Sequence, residues 1–231
     1  MKKKSDISVI DFHSHILPSA DHGSDGIETS LLQLKLMEKY GTDIAVATPH
    51  FYPHKDTVED FLQRRQKAAE LLAESKNSRV KIAIGAEVYA VAGIEELDGL
   101  EKLTIKGTNT LLLEMPFSYW NTNIVDTVMK LDSRFDLVLA HIDRYPTKAI
   151  NNFIDMGIKA QINAGNSIKF KNRERLHKWL CEDAVWAIGS DFHMAKAKDY
   201  RVFKKAQKLL KHDIEKVFSH SMELINSAEL F

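Results

Sequence analysis

Short apolar runs, most of them unbroken, alternate along the chain with longer amphipathic stretches. That alternation limits the fold more than any other feature of the sequence. Strand candidates are residues 7–12, 44–48, 80–88, 110–114, 137–141, 160–163 and 185–190. Unbroken runs suit strands covered on both faces, as in a parallel sheet. Helix candidates lie between and after them, at 27–40, 57–74, 123–131, 176–181, 196–210 and 214–225. Gly41 is placed to stop the first. Ile124, Val128 and Leu131 form one apolar stripe. Pro146 is placed to open a further helix that ends at Gly157. Segment 93–107 reads as a loop with a short helix. The βαβα order predicts an α/β fold with a parallel sheet and outer helices, either a barrel or a doubly wound sheet. No repeat or linker divides the 231 residues, so one domain spanning 1–231 is expected.

Composition removes several classes of function. Hydrophobic residues make up 44% of the chain and charged residues 28%, enough apolar surface to offset chain entropy, so disorder is excluded as the main state. Lys+Arg and Asp+Glu both number 32, which gives no general pull on nucleic-acid phosphates. A single cysteine rules out an intrachain disulfide scaffold. The apolar stretch after the three N-terminal lysines is too short and too polar for a signal sequence, and no run approaches the ~20 residues of a membrane span. A soluble cytoplasmic protein, with no nucleic-acid partner and no membrane insertion, is expected.

Chemistry gathers at the strand ends. The first strand candidate ends in Asp11-Phe12-His13-Ser14-His15, the second in Thr48-Pro49-His50 and the third in Gly85-Ala86-Glu87. The fourth ends in Leu113-Glu114, the fifth in Ala140-His141-Ile142-Asp143-Arg144, the seventh in Ser190-Asp191-Phe192-His193. Only the sixth, ending in Gln161-Ile162-Asn163, lacks an ionisable group. In barrel enzymes such ends converge on the active site. On extended chain, residues i and i+2 share a face, so His13 pairs with His15 and Asp191 with His193. Any one of these residues, taken alone, reads as an ordinary strand-end side chain. Charged groups at the ends of buried strands are costly unless paired or metal-bound, so their joint placement predicts a metal site. Imidazoles mixed with carboxylates suit Mn²⁺, Fe²⁺ or Zn²⁺. His13, His15, His22, His50, Glu87, Glu114, His141, Asp191 and His193 are too many ligands for one ion, so two or three metals are expected. His177, His212 and His220 fall on helix candidates and read as surface residues.

These motifs, with Asp21-His22-Gly23, resemble the polymerase and histidinol phosphatase superfamily. Within it, the chain is most similar to the bacterial CpsB/YwqE-type protein-tyrosine phosphatases of capsular and exopolysaccharide operons. The match runs in order from about residue 9 to 210. It implies a distorted, TIM-like, seven-stranded (β/α) barrel with a trinuclear centre, commonly Mn²⁺-dependent, with Fe, Co or Zn as alternatives. The implied activity is hydrolysis of phosphotyrosine on a tyrosine autokinase. His13, His15, Glu87 and Asp191 resemble the ligands of one metal and Glu87, Glu114 and His141 those of a second. His50 and His193 match the third. Arg144 matches the arginine of an H-x-E-R motif, with Asp143 replacing the usual Glu. His22 stands where these phosphatases usually carry the Asp of Asp-Asp-Gly, a third-metal ligand. Histidinol phosphatases have His-Gly there.

The expected mechanism is attack of metal-bound hydroxide on phosphorus, with Arg144 gripping phosphate oxygens. His22, His54 and Asp21 are candidate proton donors. Arg201 and Lys196 are candidate phosphate contacts, with Lys196 better read as solvated. Phe51, Tyr52, Tyr119 and Trp120 are candidate walls for an aromatic substrate. Cysteine-based phosphatase chemistry needs C-x₅-R; the only cysteine is Cys181, and Ala187 stands at the arginine position. Cys181 is expected on the buried side of its helix. A phosphatase of histidinol phosphate or sugar phosphates, a nuclease and a non-catalytic metal-binding regulator are the competing functions. A homo-oligomer is left open.

Overall fold

The apolar runs form parallel strands in the expected order. The computed structural model describes residues 7–117, 120–169, 172–211 and 213–231. Nine strands occur among them: β1 (Ile10–Ser14), β2 (Ile44–Ala47), β3 (His50–Phe51), β4 (Lys81–Ile84), β5 (Glu87–Tyr89), β6 (Thr110–Glu114), β7 (Asp136–Leu139), β8 (Lys159–Asn163) and β9 (Val185–Gly189). Eight α-helices accompany them: α1 (Ile27–Lys39), α2 (Val58–Ser75), α3 (Thr122–Asp132), α4 (Thr147–Asp155), α5 (Ala164–Ser167), α6 (Arg173–Cys181), α7 (Ala197–Leu210) and α8 (Asp213–Leu224). None of the described helices is long and apolar enough to cross a membrane.

The helix starts follow local hydrogen bonding. Thr57 caps α2 by accepting from Asp60 N at 3.1 Å, and Asn121 caps α3 by accepting from Ile124 N at 3.1 Å. Gly41 and Gly157 adopt φ of +83° and +86° just after α1 and α4, where a side chain would be strained. Segment 93–107 is a buried connection rather than a plain loop. Its two 3₁₀ turns, Ile94–Glu96 and Leu100–Leu103, insert Ile94, Leu100 and Leu103 into the core.

The strand count departs from seven. A three-stranded sheet has the order β1-β2-β4, and a six-stranded sheet has the order β3-β5-β6-β7-β8-β9. One expected strand, 80–88, is interrupted, and the expected strand 44–48 is followed by a short extra one. Pro49 has no N–H for the ladder and separates β2 from β3. Gly85-Ala86 separates β4 from β5. Register is kept across the gaps: Ala47 pairs with Ile84, and His50 then pairs with Glu87 at the same offset. Gly85 N donates to Ala47 O at 2.8 Å and Glu87 N to Pro49 O at 3.0 Å. Arg65, on α2, is buried and donates to Gly85 O at 3.0 Å, satisfying a carbonyl at the break. The segment just past β9 meets β1 through one bridge, Ser14 with Phe192, and through Asp191 N donating to His13 O at 2.8 Å. The ladders do not run continuously around a closed barrel.

β1 also lies further along the chain than expected, so His13 is part of the strand instead of following it. At the other end of the β1–β9 contact, Gly189 supports His13 directly. A Cβ there would lie 2.4 Å from His13 Cβ and 2.7 Å from Gln161 Nε2. Gly189→Ala should therefore lower stability by about 1–3 kcal/mol, in the range for overpacking a tight interior. Thermal unfolding would read this as a lower Tm, and an unchanged Tm would contradict the close approach.

Candidate metal centre

Histidines and carboxylates from six strands meet where their C-terminal ends converge. β1 supplies His13, and His15 follows it with Nε2 atoms 3.1 Å apart. β3 and β5 supply His50 and Glu87 as register partners, and β6 ends in Glu114. His141 and Asp191 stand just past β7 and β9, with φ of +34° and +52°. Left-handed backbone is uncommon for residues with side chains. Here it turns two side chains inward where the strands have ended. Asp191 and His193 thus come together through a turn rather than on the extended chain expected for them. His193 Nδ1 donates to Asp191 O at 3.0 Å.

Glu87 is 1% exposed and faces four imidazoles. Its Oε1 lies 2.8 Å from His141 Nε2. Its Oε2 lies 2.9 Å from His50 Nδ1, 3.1 Å from His13 Nε2 and 3.4 Å from His15 Nε2. Three donor groups of metal-binding size occur among the described residues: His13, His15 and Glu87; His50, Glu87 and Glu114; and His15, His50 and His193. Asp191 Oδ1 is 3.3 Å from His15 Nε2, and His141 Nε2 is 3.5 Å from Glu114 Oε1. Despite their 2.9 Å approach, His50 Nδ1 and Glu87 Oε2 have no hydrogen-bond partner.

The outer face of each imidazole explains the arrangement. His15 Nδ1 lies 2.7 Å from Asp21 Oδ2, His13 Nδ1 3.3 Å from Gln161 Oε1, and His141 Nδ1 3.3 Å from the Tyr145 hydroxyl. Tyr145 in turn donates to Met115 O at 2.9 Å, so its oxygen is free to accept from His141. With Nδ1 protonated and anchored in this way, the Nε2 lone pairs of His13, His15 and His141 point into the centre, as metal-bound histidines require. Packed lone pairs and unpaired carboxylate oxygens are unfavourable without a cation. The donor set fits divalent metal.

The electrostatics reflect the same crowding. Burial disfavours a charge on His141, but Glu114 and Glu87 push its pKa up to about 9. Burial opposes ionisation of Glu87 and Asp191, but the neighbouring histidines hold both well below the usual carboxylate range. Arg144 adds to this at Asp191, which its guanidinium contacts directly.

Two supporting residues carry no charge and so give no signal among the ionisable strand ends. Gln161 Oε1 accepts from His141 N at 2.6 Å and also meets His13, so it ties two strands together. Asn163 Nδ2 donates to Asp191 Oδ2 at 2.9 Å. The strand without an ionisable end therefore contributes neutral anchors. Their position at the end of β8 was the available clue.

Other expected site residues fall elsewhere. Asp21 accepts from Gly23 N at 2.8 Å and His50 N at 2.9 Å as well as from His15, so it is a fully engaged anchor and unsuited to proton donation. His22 is exposed and stacks on His50 with centroids 4.8 Å apart, outside the three donor groups. His54 is exposed beside Tyr52 and Tyr89, outside the three donor groups. Tyr52 stacks on His50 at 5.1 Å, whereas Phe51 is fully buried against Phe61. Trp120 donates to Pro116 O and packs on Phe153. Tyr119 lies outside the described residues, as does His212. Arg201 is exposed and hydrogen-bonds Tyr40, while Lys196 is exposed. His177 is exposed, as expected. His220 instead has a side chain only 12% exposed, stacked on Trp186. Cys181 is exposed near His177, because α6 turns Leu176 and Trp179 to the core.

Comparison with known proteins gives this geometry a family. Residues 9–231 match the model for capsular polysaccharide synthesis, CpsB/CapC. The chain belongs to the CpsB/CapC family. The tyrosine-protein phosphatase CpsB of Streptococcus pneumoniae is 30% identical over 209 residues, covering 80% of this chain and 83% of that protein. CpsB of Streptococcus agalactiae serotype III is also 30% identical, over 207 residues, with the same coverage. A crystal structure from work on Bacillus subtilis YwqE and S. pneumoniae CpsB, described as unique metal-dependent tyrosine phosphatases, superposes with a TM-score of 0.76. It covers 96% of both chains at 18% identity. A TatD-family hydrolase from Entamoeba histolytica shares the fold at a TM-score of 0.62 and 10% identity, covering 94% of this chain and 98% of its own.

In this CpsB/CapC member, Asp21 holds His15 by the carboxylate–histidine arrangement that raises ligand basicity. Asp21→Asn should weaken divalent-metal binding about 10–100-fold, as other outer-partner losses do. Calorimetric titration with Mn²⁺ would measure it, and an unchanged affinity would remove Asp21 from that role.

Proposed function

We propose that this protein is a metal-dependent phosphoric monoester hydrolase that removes phosphate from phosphotyrosine on a protein of capsular polysaccharide synthesis. The single observation that carries the reading is the buried Glu87 carboxylate ringed by His13, His15, His50 and His141, with Arg144 at its edge. The family and its relatives named tyrosine-protein phosphatase supply the substrate class. The polypeptide substrate is read as a tyrosine autokinase, met in the cytoplasm. The two sheets are read as one distorted seven-stranded barrel in a single domain, supported by the unbroken register across both gaps and by the β1–β9 bridge.

Two to three ions, Mn²⁺ by preference, would be held by His13, His15, His50, Glu87, Glu114, His141, Asp191 and His193. His22 is exposed, with its ring 4.9 Å from that of His193, and is read as turning inward to complete the His15, His50 and His193 group. The chemistry these ions supply is Lewis acidity, which screens phosphate charge and acidifies water near neutral pH. The chain's own residues do the rest. Arg144 offers a planar fork that matches two phosphate oxygens. Tyr52 and His54 border the site where a phenyl ring would lie. A tyrosine leaving group has a pKa near 10, so it departs with less help from a proton donor than an alkoxide needs.

Purified protein with Mn²⁺ should hydrolyse phosphotyrosine peptide, and a chelator should stop it. No turnover with Mn²⁺, Co²⁺ or Fe²⁺ would sink the phosphatase reading. Faster turnover of histidinol phosphate than of the peptide would move the substrate to a small molecule, the alternative favoured by His22-Gly23. His13→Ala combined with His15→Ala should abolish activity while circular dichroism stays unchanged. Arg144→Ala should lower kcat about 10²–10³-fold, the usual loss for one charge-stabilising donor. Metal content measured by elemental analysis should persist in that variant; its loss would make Arg144 a support for Asp191 instead.

A further inference from the structure

A cleft of about 560 Å³ opens beside the metal centre, bordered by Arg144 and Thr147 on one side and by Asn166 and Arg175 on the other. Phe117, Arg144, Asn166, Lys169, Asn172 and Arg175 line most of it. Arg144 belongs to both places: it lines the cleft and contacts Asp191 of the centre. Among the described residues, Lys169 and Arg175 are paired with no carboxylate. Lys169 donates to the neutral Asn166 side chain. Arg175 donates to the backbone oxygens of Asp143 and Tyr145 and to Asn172 Oδ1, and its Nε has no partner. Asp143 is the one acid among the described residues that line the cleft. It is buried; its Oδ1 accepts from Asn163 N at 2.6 Å, while its Oδ2 has no hydrogen-bond partner. By contrast, Arg64, Lys130 and Lys159 each pair with an acid nearby.

We infer that this cleft is a second anion subsite, which takes a carboxylate or a further phosphate carried by the same substrate polypeptide near its phosphotyrosine. The inference deepens the phosphatase reading and rests on it for the position of the first phosphate. Lys169 and Arg175 outnumber Asp143, and Arg144 is already paired with Asp191, so the cleft is left net positive and suits an anion. Arg144 links the two sites, so both anions would sit on one bound peptide. Phe117 is 67% exposed at the rim, an apolar surface against which the peptide could lie.

The test compares binding of three fluorescent peptides, in which a non-hydrolysable phosphonate analogue stands for each phosphotyrosine, to the Mn²⁺-loaded protein. One carries Glu beside the phosphotyrosine, one carries Ala there, and one carries a second phosphotyrosine. The wild-type protein should bind the Glu peptide about fivefold more tightly than the Ala peptide, as one partly exposed charge pair allows. Greater preference for the doubly phosphorylated peptide would identify phosphate as the second anion. About 0.5 M salt should remove the preference. Lys169→Glu should also remove it, because the comparison is a ratio within one variant and a general loss of affinity cancels. Equal affinities for all three peptides in the wild type would overturn the inference. So would a preference that survives in Lys169→Glu. Turnover of free phosphotyrosine is read separately: its absence would fail the phosphatase reading, while the affinity ratios still decide the cleft.

Discussion

One buried carboxylate sets the problem that the surrounding structure solves. Glu87 lies within 3.4 Å of ring nitrogens from His13, His15, His50 and His141. An ionised carboxylate with so little exposure is expensive unless positive charge meets it closely. The histidines provide that charge only by accepting protons, which would occupy the lone pairs needed for metal. Divalent ions resolve this competition because they neutralise the carboxylates and use the same lone pairs. The strands' apolar faces and the neutral anchors behind them keep the donors fixed while this exchange takes place.

Those anchors distribute positional control over much of the chain. Asp21 reaches His15 from the β1–α1 connection, Gln161 joins the ends of β1 and β7, and Asn163 steadies Asp191. Each fixes a ring or carboxylate without adding net charge to the centre, except Asp21. That exception is itself engaged by three donors. The result is a site whose geometry depends on several short polar contacts and on close backbone approach at Gly189.

The sequence carried the order of strands and helices because unbroken apolar runs and capping residues are local signals. It also carried the convergence of His13, His15, His50, Glu87 and Glu114, because strand ends in a parallel α/β fold share one side. The break at Gly85 and the short β3 beyond Pro49 were harder to see, since ladder bonds continue around both. His141 and Asp191 were legible as strand-end donors, but the left-handed backbone that turns them inward is encoded by no alternation pattern. The neutral anchoring by Gln161 and Asn163 escaped because amides carry no charge signature. Cys181 misled because helix orientation is a tertiary property: the core selected the Leu176 and Trp179 face.

The pairing of His50 with Glu87 across β3 and β5 has a consequence for how this protein can change over time. These two donors are indexed by strand register, and β3 is only two residues long. Deleting one residue just before His50 would exchange the inward and outward faces of that short strand. The buried Phe51 would then compete for the donor's place. Connections on the surface can lengthen gradually, but this segment can vary only by substitution. The catalytic face is therefore expected to diversify through its rim while the spacing beneath it stays unchanged.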